Sequence, residues 1–521
     1  MSNDGKNTLS NLKKSPQVKK IFEELLYLKN DLTTKEAKIL YSFALSLIQE
    51  YEKDREKKLF IDFAYYIIFK TSCKINDFRA VYDFAVNYGY YPVARKIMEL
   101  GLIENVSINH ILSELSIDDF QEDNKVKTLE QDKIFKETLN DEGKRVSFIA
   151  PTSYGKSELI FKDIDKIDAN IIGIVVPTKS LIDQVYREAK KLIFDRKIII
   201  HDQGFDKEKD TRILAVVTQE RALRLVEQGL VFDALYIDEA HELLSFNFAN
   251  KQDNRSLLLV RLIRLSRRKN KELKEIYLSP VLNDVNSISI DGKDISSHKI
   301  SSDLKIMDIY YIDNERVVRQ YDRYLGEMIK IENANNISRH SKYILRESKM
   351  KNLHYLYRPI FIEQYSEVIY QVLPNAIIPE EIKEVISEIR ELVHPDFKLA
   401  TFLEKGVIYL HSKVPNVIKN YLLKVVRESD FIKHFVANDV VLAGMNLPID
   451  NLFYISGNGN TRDLRNLIGR VNRLNEVFSP DNRDIKKILI PVHFVEISQF
   501  PQSHGGKMRG KIEKLRQKLK N

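Results

Sequence analysis

Short apolar runs rich in β-branched residues alternate with charged helical segments from about residue 121 onward, and this alternation constrains the fold most strongly. Examples are VSFIA at 146–150, IIGIVV at 171–176, ILAVVT at 213–218 and ALYID at 234–238. Because the apolar residues are consecutive, these runs suit strands that are buried on both faces of a parallel sheet. A second series of such runs begins after residue 345. The pattern therefore predicts two α/β domains in tandem.

The chain before this alternation has a different pattern of apolar residues. In the segments 17–32 and 33–54 apolar residues recur at spacings of three and four, without strand-like alternation. Thr33 or Thr34 is a plausible helix N-cap, with Glu36 close behind. The N-terminal part is therefore predicted to be an all-α domain that carries no metal cluster or nucleophile.

These differences in apolar pattern and composition predict five parts along the chain. Residues 1–120 form the helical accessory domain, and residues 121–285 form the first α/β domain. Residues 286–345 are polar and rich in turn residues, so they are expected to be a linker or insert with some strand. Residues 346–497 form the second α/β domain, and residues 498–521 form a basic tail.

Composition excludes several classes of protein. The chain has 521 residues, of which 43% are hydrophobic and 30% charged, so whole-chain disorder is excluded. A single cysteine, Cys73, cannot form an internal disulfide or a multi-cysteine zinc module. The N-terminus is polar where a signal peptide would be apolar, and no apolar run approaches the ~18 residues of a membrane span. We expect a cytoplasmic protein without a membrane partner.

Net charge is less informative than its value suggests. The chain carries a formal net charge of +8, but seven Lys or Arg residues and one Glu lie after Gly506. The body of the protein is therefore nearly balanced in charge. The basic tail suits contact with phosphates and suits a solvated helical terminus equally well.

A phosphate-binding loop is indicated by IAPTSYGKSE at 149–158, which follows an apolar run and precedes a helical segment. A strand that turns tightly into a helix aims backbone N–H groups and the positive end of the helix dipole at one point. Lys156 would reach the β- and γ-phosphates, Ser157 would hold Mg²⁺, and Gly155 permits close approach of the backbone. Ala150 stands where the general pattern has its first glycine.

An acidic pair ends the apolar run in FDALYIDEAHELL at 232–244. There Asp238 could hold Mg²⁺ through water, and Glu239 could orient and deprotonate an attacking water. Acidic pairs also cap strand ends for purely structural reasons, and the upstream phosphate loop favours the functional interpretation. His241 by itself is more typical of an ordinary polar residue.

At these two motifs the sequence resembles superfamily 2 helicases of the DEAD/DEAH type. APTSYGKSE and DEAH, 82 positions apart from Lys156 to Asp238, are similar to motifs I and II. Gln131 falls where these proteins have an adenine-reading glutamine. VVPTKSLIDQ at 175–184, VVTQERAL at 216–223 and YLSP at 277–280 are similar to motifs Ia, Ib and III.

The second α/β series resembles the Ski-like branch of that superfamily. GVIYLHSKVP at 406–415, FVANDVVLAGMNLP at 435–448 and LRNLIGRVNRL at 464–474 are similar to motifs IVa, V and VI. Arg470 and Arg473 match the two arginines of motif VI, one of which stabilises the transferring phosphoryl group in relatives. Such an arginine is worth ~10³–10⁵ in rate in comparable enzymes.

The resemblance implies a fold, a reaction and a set of site residues. The fold is α/β, with two RecA-like parallel-sheet domains in tandem and an N-terminal all-α domain. The reaction is ATP hydrolysis with Mg²⁺ between the two domains, coupled to movement on single-stranded or partly duplex DNA or RNA, in the 3′ to 5′ direction. Antiviral defence, repair and RNA turnover are conceivable settings, and no residue distinguishes them.

The residues implied fall into three groups. Those for chemistry are Lys156, Asp238, Glu239, Arg470 and Arg473. Those for the nucleotide are Gln131, Thr152, Ser153, Tyr154, Gly155, Lys156, Ser157 and Gly444, with Ser157 and Asp238 as metal ligands. Those for nucleic acid are Thr178, Lys179, Thr218, Ser412 and Asn438, mostly as phosphate contacts.

Departures from the family pattern leave an alternative open. Motif III reads Ser279-Pro280-Val281, not the Ser-Ala-Thr of the family. Only 17 residues separate Pro448 from Asn466, and much of this stretch is needed for the run LFYISG and the approach to the motif VI helix. The usual strand-separating hairpin of relatives is therefore not expected here. No ratchet domain follows motif VI, so long processive unwinding by this chain alone is not expected. The alternative is an ATPase switch subunit of a complex, with the helical domain binding a protein partner. A P-loop kinase or transporter ATPase is disfavoured by the second α/β series.

Overall fold

The computed structural model describes residues 16, 20, 22–28, 32–122, 124–244, 255–280, 282, 285–292, 294–332, 339–411, 413–438, 447–458 and 461–516. By contact density the chain divides into two compact units. The larger unit, here the composite unit, contains the described residues up to 129 together with the described residues after 301. The smaller unit, here the loop unit, contains the described residues between 130 and 301.

The N-terminal part is helical, as the spacing of its apolar residues predicts. After a π-helical segment at Phe22–Leu28, its helices are α1 (Thr34–Lys53), α2 (Lys58–Ile75), α3 (Arg79–Asn87), α4 (Tyr91–Glu99) and α5 (Ile108–Asp118). Thr33 caps α1 in a reciprocal capping box with Glu36, which satisfies two backbone donors at once. Helix α2 is buried on nearly all sides, which makes it the centre of this helical layer.

A seven-stranded, entirely parallel sheet forms the loop unit. Its strands are β3 (Arg145–Ile149), β4 (Ile171–Val175), β5 (Lys197–Ile199), β6 (Ile213–Val217), β7 (Ala234–Ile237), β8 (Lys274–Ser279) and β9 (Ser296–Lys299). They lie in the order β5-β6-β4-β7-β8-β3-β9. All residues of β6 and β7 are buried, as expected for consecutive apolar residues between two helical layers.

Helices connect these parallel strands, because each crossover must return the chain to the same end of the sheet. The connecting helices are α7 (Lys156–Lys166), α8 (Lys179–Leu192), α9 (Gln219–Glu227) and α10 (Arg255–Lys269). Helix α6 (Leu129–Leu139) precedes β3, the first strand of this sheet along the chain. Short 3₁₀ turns lie at Asp202–Gly204, Ala240–Leu244 and Val285–Ile288. Side chains of α9 and α10 pack with β4, β6 and β7 in one core that includes Val175, Leu225 and Leu262.

An eight-stranded mixed sheet forms the centre of the composite unit. Its strands are β10 (Ile306–Ile312), β11 (Val318–Asp322), β12 (Glu327–Glu332), β13 (Asn352–Leu356), β14 (Val407–Leu410), β15 (His434–Ala437), β16 (Asn451–Ser456) and β17 (Leu489–Val495). The order is β12-β11-β10-β17-β16-β13-β15-β14. The six strands from β10 to β14 in this order are parallel, and β11 and β12 extend them as antiparallel strands. A separate two-stranded hairpin pairs β1 (Gln121–Glu122) with β2 (Lys125–Val126).

Helices surround this second sheet. They are α11 (His340–Glu347), α12 (Pro359–Val372), α13 (Glu380–Leu392), α14 (Lys398–Leu403), α15 (Asn416–Glu428), α16 (Thr461–Ile468), α17 (Leu474–Val477) and α18 (Met508–Glu513), with 3₁₀ turns at Ile485–Ile488 and Ser503–Gly505. Helix α18 belongs to the predicted basic tail. Its Lys511 is 7% exposed and donates to Gly457 O at 2.8 Å and to Gln502 Oε1 at 2.7 Å. This lysine is therefore part of the packed structure.

The predicted linker or insert at 286–345 contributes strands to both sheets. Strand β9 pairs with β3, and β10 to β12 form an antiparallel meander on the edge of the second sheet. Arg316 with φ of 67° and Gly326 with φ of 72° turn the chain back at its two tight connections. Such short connections suit antiparallel pairs, which need no crossover helix. The polar, turn-rich composition of this segment reflects the turns of a meander.

A ladder of aromatic and histidine rings crosses the second sheet. Tyr310, His493, Phe453 and His354 stack on neighbouring strands, with ring centroids 4.9–5.0 Å apart. His354 Nε2 shares a hydrogen bond of 3.1 Å with His434 Nδ1. Burial lowers the pKa of His493 to about 3 and that of His434 to about 4, so both rings are neutral at pH 7.

The N-terminal helices pack directly on the meander within the composite unit. Lys70 of α2 donates to Asp308 of β10 at 2.8 Å, and both side chains are at least nine-tenths buried. Tyr65 Oη donates to Leu304 O at 3.1 Å, and Phe63 stacks on Tyr324 with 4.5 Å between ring centroids. The helices and the second sheet therefore share one core.

The predicted fold class is confirmed: the protein is α/β, with two RecA-like sheets and an N-terminal helical region. The predicted boundaries of the five parts stay a prediction. Within the described parts of the chain, no helix combines the length and apolarity that a bilayer crossing requires.

Candidate functional site

Five loops that carry the sequence motifs begin at one edge of the first sheet. They follow strands β3, β4, β6, β7 and β8, and the carboxyl ends of parallel strands meet at the same edge. Backbone bonds extend the ladder past these ends, from Ala150 N to Ser279 O at 3.1 Å and from Asp238 N to Val175 O at 2.9 Å. This edge is the usual position of ligand sites in open α/β sheets.

The loop after β3 has the backbone shape of an anion cradle. Ser153 has φ of 73° and Gly155 has φ of 77°, both in the left-handed region. Alternation of such residues turns successive N–H groups toward one concavity, and α7 begins directly afterwards at Lys156. A Cβ on Gly155 would come within 3.0 Å of Phe135 Cζ, so both conformation and space favour glycine here. The loop therefore suits phosphate groups.

Two predicted nucleotide contacts lie at this loop. Lys156 Nζ donates to Ala150 O at 3.2 Å, across the mouth of the turn. Gln131 Nε2 of α6 lies 3.5 Å from Tyr154 O, which places the glutamine beside the loop. Tyr154 itself is 1% exposed, so its side chain anchors the loop in the core. Ser157 occupies the second position of α7, and Thr152 lies between Pro151 and Ser153 in the turn.

The acidic pair lies at the same edge, after β7. Glu239 has φ of 53°, an uncommon conformation for a residue with a side chain. Its N–H donates to Asp238 Oδ1 at 2.9 Å, which ties the two residues together. Glu239 Oε2 is buried without a hydrogen bond. A buried carboxylate oxygen with remaining acceptor capacity is suited to receive a proton or a hydrogen bond from a ligand.

His241 connects the acidic pair to the loop after β8. Its Nδ1 lies 3.2 Å from Ser279 Oγ and 3.3 Å from Glu239 Oε2. The contact with Glu239 has the distance of an ion pair but not the alignment of a hydrogen bond. His241 is 6% exposed and Ser279 is fully buried. These contacts form a chain from Glu239 through His241 to the third motif.

The residues at this edge fit a magnesium–nucleotide complex. Magnesium in phosphoryl-transfer sites is held by one or two protein oxygens together with the phosphates of the substrate. Asp238, directly after β7, and Ser157, in the first turn of α7, offer oxygens of that kind at the edge of the sheet that carries the anion cradle. In the described part of the chain, no group of three or more His, Cys, Asp or Glu side chains could hold a metal by itself.

The residues predicted to contact nucleic acid at this edge mostly begin helices. Thr178 caps α8, with its Oγ1 accepting from Leu181 N at 3.3 Å, and Lys179 is exposed beside it. Thr218 occupies the N-cap position of α9, without a side-chain capping hydrogen bond, and is 7% exposed. Arg255 joins the two loops, because it donates to Pro177 O and, at 3.0 Å, to Glu220 Oε1.

Three predicted residues belong to motifs IVa and V of the second sheet. Asn438 follows β15, is 7% exposed, and its Oδ1 is buried without a hydrogen bond. Gly444 and Ser412 lie outside the described residues.

The two arginines of motif VI lie together in the composite unit. Arg470 and Arg473 occupy the turn between α16 and α17, and Arg473 directly precedes α17. Burial, and then the positive charge of Arg470, lower the pKa of Arg473 to about 10. Arg473 therefore stays protonated at pH 7. The negative charge of Glu476 opposes this lowering of the Arg473 pKa.

The backbone of this turn is held from two sides. Lys305 Nζ donates to Gly469 O at 2.8 Å and to Val471 O at 2.9 Å. Asn472 has φ of 44° and donates from Nδ2 to Lys487 O at 2.8 Å. The carbonyl groups on both sides of Arg470 are thus bound by one buried lysine.

Sequence reasoning missed Lys305, Arg255 and the contacts of His241. Lys305 lies in the segment predicted as a linker, and nothing in its neighbouring sequence indicates a partner 164 positions away. Arg255 follows the undescribed residues 245–254 and belongs to no motif. Ser279 could have been linked to His241, because Ser279 ends β8 and His241 follows β7, and these two strands lie side by side in the sheet.

Comparison with protein families agrees with the geometry of the first sheet. Residues 128–266 match the family model described as DEAD/DEAH box helicase. The matched segment includes the anion cradle, Lys156, and the acidic pair Asp238–Glu239. No curated protein sequence matches the chain.

Among solved structures, the chain is similar to one described as the crystal structure of the DUF1998 helicase MrfA bound to DNA. Identity is 13%, the TM-score is 0.45, and the match covers 74% of this chain. It covers 47% of that chain, so this chain spans about half of its length. Residues 128–266 are similar to the DEAD/DEAH box helicase family.

Proposed function

We propose that this protein is an ATP-dependent helicase or translocase of superfamily 2, of the Ski-like branch, that acts on single-stranded or partly duplex nucleic acid. One observation carries the proposal: the anion cradle of residues 150–157 and the acidic pair Asp238–Glu239 lie at the same edge of one parallel sheet. The match of residues 128–266 to the DEAD/DEAH box helicase model supports it.

Each site residue has a role in this proposal. The N–H groups of the cradle and Lys156 bind the phosphates of ATP, and Gln131 reads the adenine. Ser157 and Asp238 hold Mg²⁺, which neutralises charge on the phosphates when it is bound. Glu239 orients the attacking water and accepts its proton at Oε2. Arg470 and Arg473 stabilise negative charge on the transferring phosphoryl group.

Substitution of Glu239 tests the proposed chemistry. Glu239→Gln keeps the size and burial of the side chain but removes its ability to accept a proton. We expect ATP to bind normally and the turnover rate to fall by about 10²–10⁴, the usual contribution of a general base. Glu242→Gln, in the 3₁₀ turn that begins directly after Glu239, is the matched control. Unchanged turnover in Glu239→Gln would contradict the assignment.

Nucleic-acid dependence tests the proposed substrate class. We expect ATP turnover to rise on addition of single-stranded DNA or RNA, and short duplexes with a 3′ overhang to be opened in preference to those with a 5′ overhang. Matched DNA and RNA strands would show which is preferred. Turnover that is indifferent to every nucleic acid would contradict the proposal.

A second candidate function is an ATPase switch subunit that binds a protein partner through the N-terminal helices. The observation that favours it is a stripe on α5. Ile108, Ile111, Leu112 and Leu115 are 76%, 53%, 56% and 60% exposed, at the spacing of one helix face. Residues 102–124 contain six acidic residues and no Lys or Arg, and Arg95 and Lys127 from outside this segment pair with three of the six. An apolar stripe on an acidic segment suits a basic amphipathic helix of a partner and disfavours nucleic acid.

The two candidates make different predictions. For the switch subunit, a helical peptide with a leucine stripe and lysine flanks binds the full chain, and Ile111→Gln with Leu115→Gln abolishes the binding. The same peptide with glutamate flanks does not bind, and Asn109→Gln serves as the control. Strand displacement by the protein alone would then be weak. Efficient displacement without any partner would favour the helicase.

A further inference from the structure

The motif VI turn depends on a residue that belongs to no motif. We propose that Lys305 is a positioning residue that fixes the backbone of the turn carrying Arg470 and so holds the two arginines in the orientation that their proposed role requires. This inference rests on the proposed function, because the arginines act only if the protein hydrolyses a nucleotide.

The contacts of Lys305 are those of a clamp. Its Nζ donates to the carbonyls of Gly469 and Val471, at 2.8 and 2.9 Å. These two carbonyls flank Arg470, so together they fix the direction in which its side chain leaves the backbone. Hydrogen bonds from a charged donor are stronger than neutral ones, which suits a lysine for this task.

Lys305 is placed for this role by the second sheet. It directly precedes β10, which pairs along its whole length with β17, and it is 8% exposed. Its own N–H is bound to Asp303 Oδ1 at 3.0 Å. The lysine thus connects a rigid strand to a turn that has no regular secondary structure.

The charges around Lys305 keep its ammonium form at pH 7. Burial lowers its pKa to about 8, Asp303 and Glu476 oppose that shift, and Arg473 adds to it. The positive charge of Arg473 thus acts on Lys305, so Lys305 interacts electrostatically with the second arginine as well as binding the backbone beside the first.

Three variants of the full chain test the inference. Lys305→Met keeps the length of the side chain and removes its donors, and Lys305→Arg restores two donors. Lys351→Met is the matched control, because Lys351 is also buried and also donates to backbone carbonyls of the same unit, those of Val426, Ser429 and Ile432.

The kinetic measurement separates positioning from stability. We expect kcat for ATP to fall about 10- to 100-fold in Lys305→Met, a usual effect of small misplacement, with KM changed less than about twofold. Lys305→Arg should recover most of kcat, and Lys351→Met should lower thermal stability without lowering kcat. Equal kcat in Lys305→Met and Lys351→Met, each relative to wild type, would overturn the inference.

Hydrogen exchange decides the matter independently of activity. Backbone amides of residues 469–474 should exchange at least tenfold faster in Lys305→Met than in wild type, and at the wild-type rate in Lys351→Met. Unchanged exchange in Lys305→Met would overturn the clamp even if the enzyme is active. A wild-type protein without ATP turnover would instead contradict the proposed function, and the exchange result would still judge the clamp.

Discussion

At the scale of single residues, the candidate site depends on backbone conformations that few residue types adopt. Gly155 has φ of 77°, and a Cβ there would meet the Phe135 ring at 3.0 Å. Glu239 holds a left-handed conformation although it carries a side chain. Such residues persist only where surrounding structure holds them, and they concentrate at functional sites.

Gly155→Ala should therefore impair nucleotide binding beyond its effect on stability. We expect the free energy of unfolding to fall by about 1–2 kcal/mol, because alanine is strained in the left-handed conformation. We also expect the affinity for ATP to fall on the order of tenfold because the cradle shifts, which corresponds to about 1.4 kcal/mol of binding free energy. Gly101→Ala is the control, since Gly101 has φ of 63° and open space around it. Thermal unfolding and titration with fluorescent ATP measure both effects. Equal ATP affinity in the two variants would contradict the cradle.

The residue scale also shows what a sequence can indicate about a site. Lys156, Gly155, Asp238 and Glu239 were predicted from local motifs, because a phosphate loop is built from consecutive residues between a strand and a helix, and their roles stay a prediction. Lys305 could not be identified in this way. Its partners lie in another segment of the chain, and only the pairing of β10 with β17 brings them together.

At the scale of elements, the second sheet is built around neutral histidines. His493 and His434 have pKa values lowered by burial to about 3 and about 4, and burial also lowers the pKa of His354. Tyr343 Oη shares a hydrogen bond of 2.7 Å with His493 Nδ1. In the unfolded chain these rings titrate near pH 6.5, so the unfolded state binds more protons than the folded state below that pH.

Stability of the composite unit should consequently fall as pH falls below about 6.5. Each buried neutral histidine contributes a slope of about 1.4 kcal/mol per pH unit between its unfolded and folded pKa values. His493→Gln removes one such slope and retains a partner for Tyr343. Denaturant unfolding at pH 7.5, 6 and 5 should show a shallower loss in this variant. An identical pH dependence in wild type and His493→Gln would contradict a neutral His493 in the folded state.

Some secondary-structure elements could be predicted from the sequence and others could not. The parallel strands with consecutive apolar residues, such as β6, were predictable because burial on both faces leaves a distinct pattern. The meander of β10 to β12 was expected only as a linker with some strand. Its strands carry charged residues such as Arg319 and Lys330 among apolar ones, and its turns give it the composition of a loop.

At the scale of the whole molecule, the N-terminal helices are part of the composite unit and share its core. Both side chains of the pair Lys70–Asp308 are buried. Lys70 Nζ also lies 5.2 and 5.4 Å from the ring centroids of Tyr27 and Tyr66. The sequence showed helical periodicity in this region but could not show which surface the helices cover, since the contacts span 238 positions.

Lys70→Met should therefore destabilise strands as well as helices. Removal of Lys70 leaves the Asp308 carboxylate buried without a counter-charge, with Gln320 Nε2 still donating to it at 3.3 Å, at a cost of about 3–5 kcal/mol. Lys53→Met removes the exposed pair with Glu50 and should cost less than about 1 kcal/mol. Hydrogen exchange should report faster opening in both α2 and β10. Loss of protection confined to the helices would show that they fold as a separate module.

The proposed function requires that a nucleotide bind at residues 150–157 and be hydrolysed there. The most direct measurement is the steady-state release of phosphate from ATP with Mg²⁺ and single-stranded nucleic acid. Lys156→Ala is compared with Lys166→Ala, an exposed lysine at the other end of α7. We predict that wild type and Lys166→Ala turn over alike and that Lys156→Ala is at least about 100-fold slower. Equal phosphate release by Lys156→Ala and wild type would contradict the account.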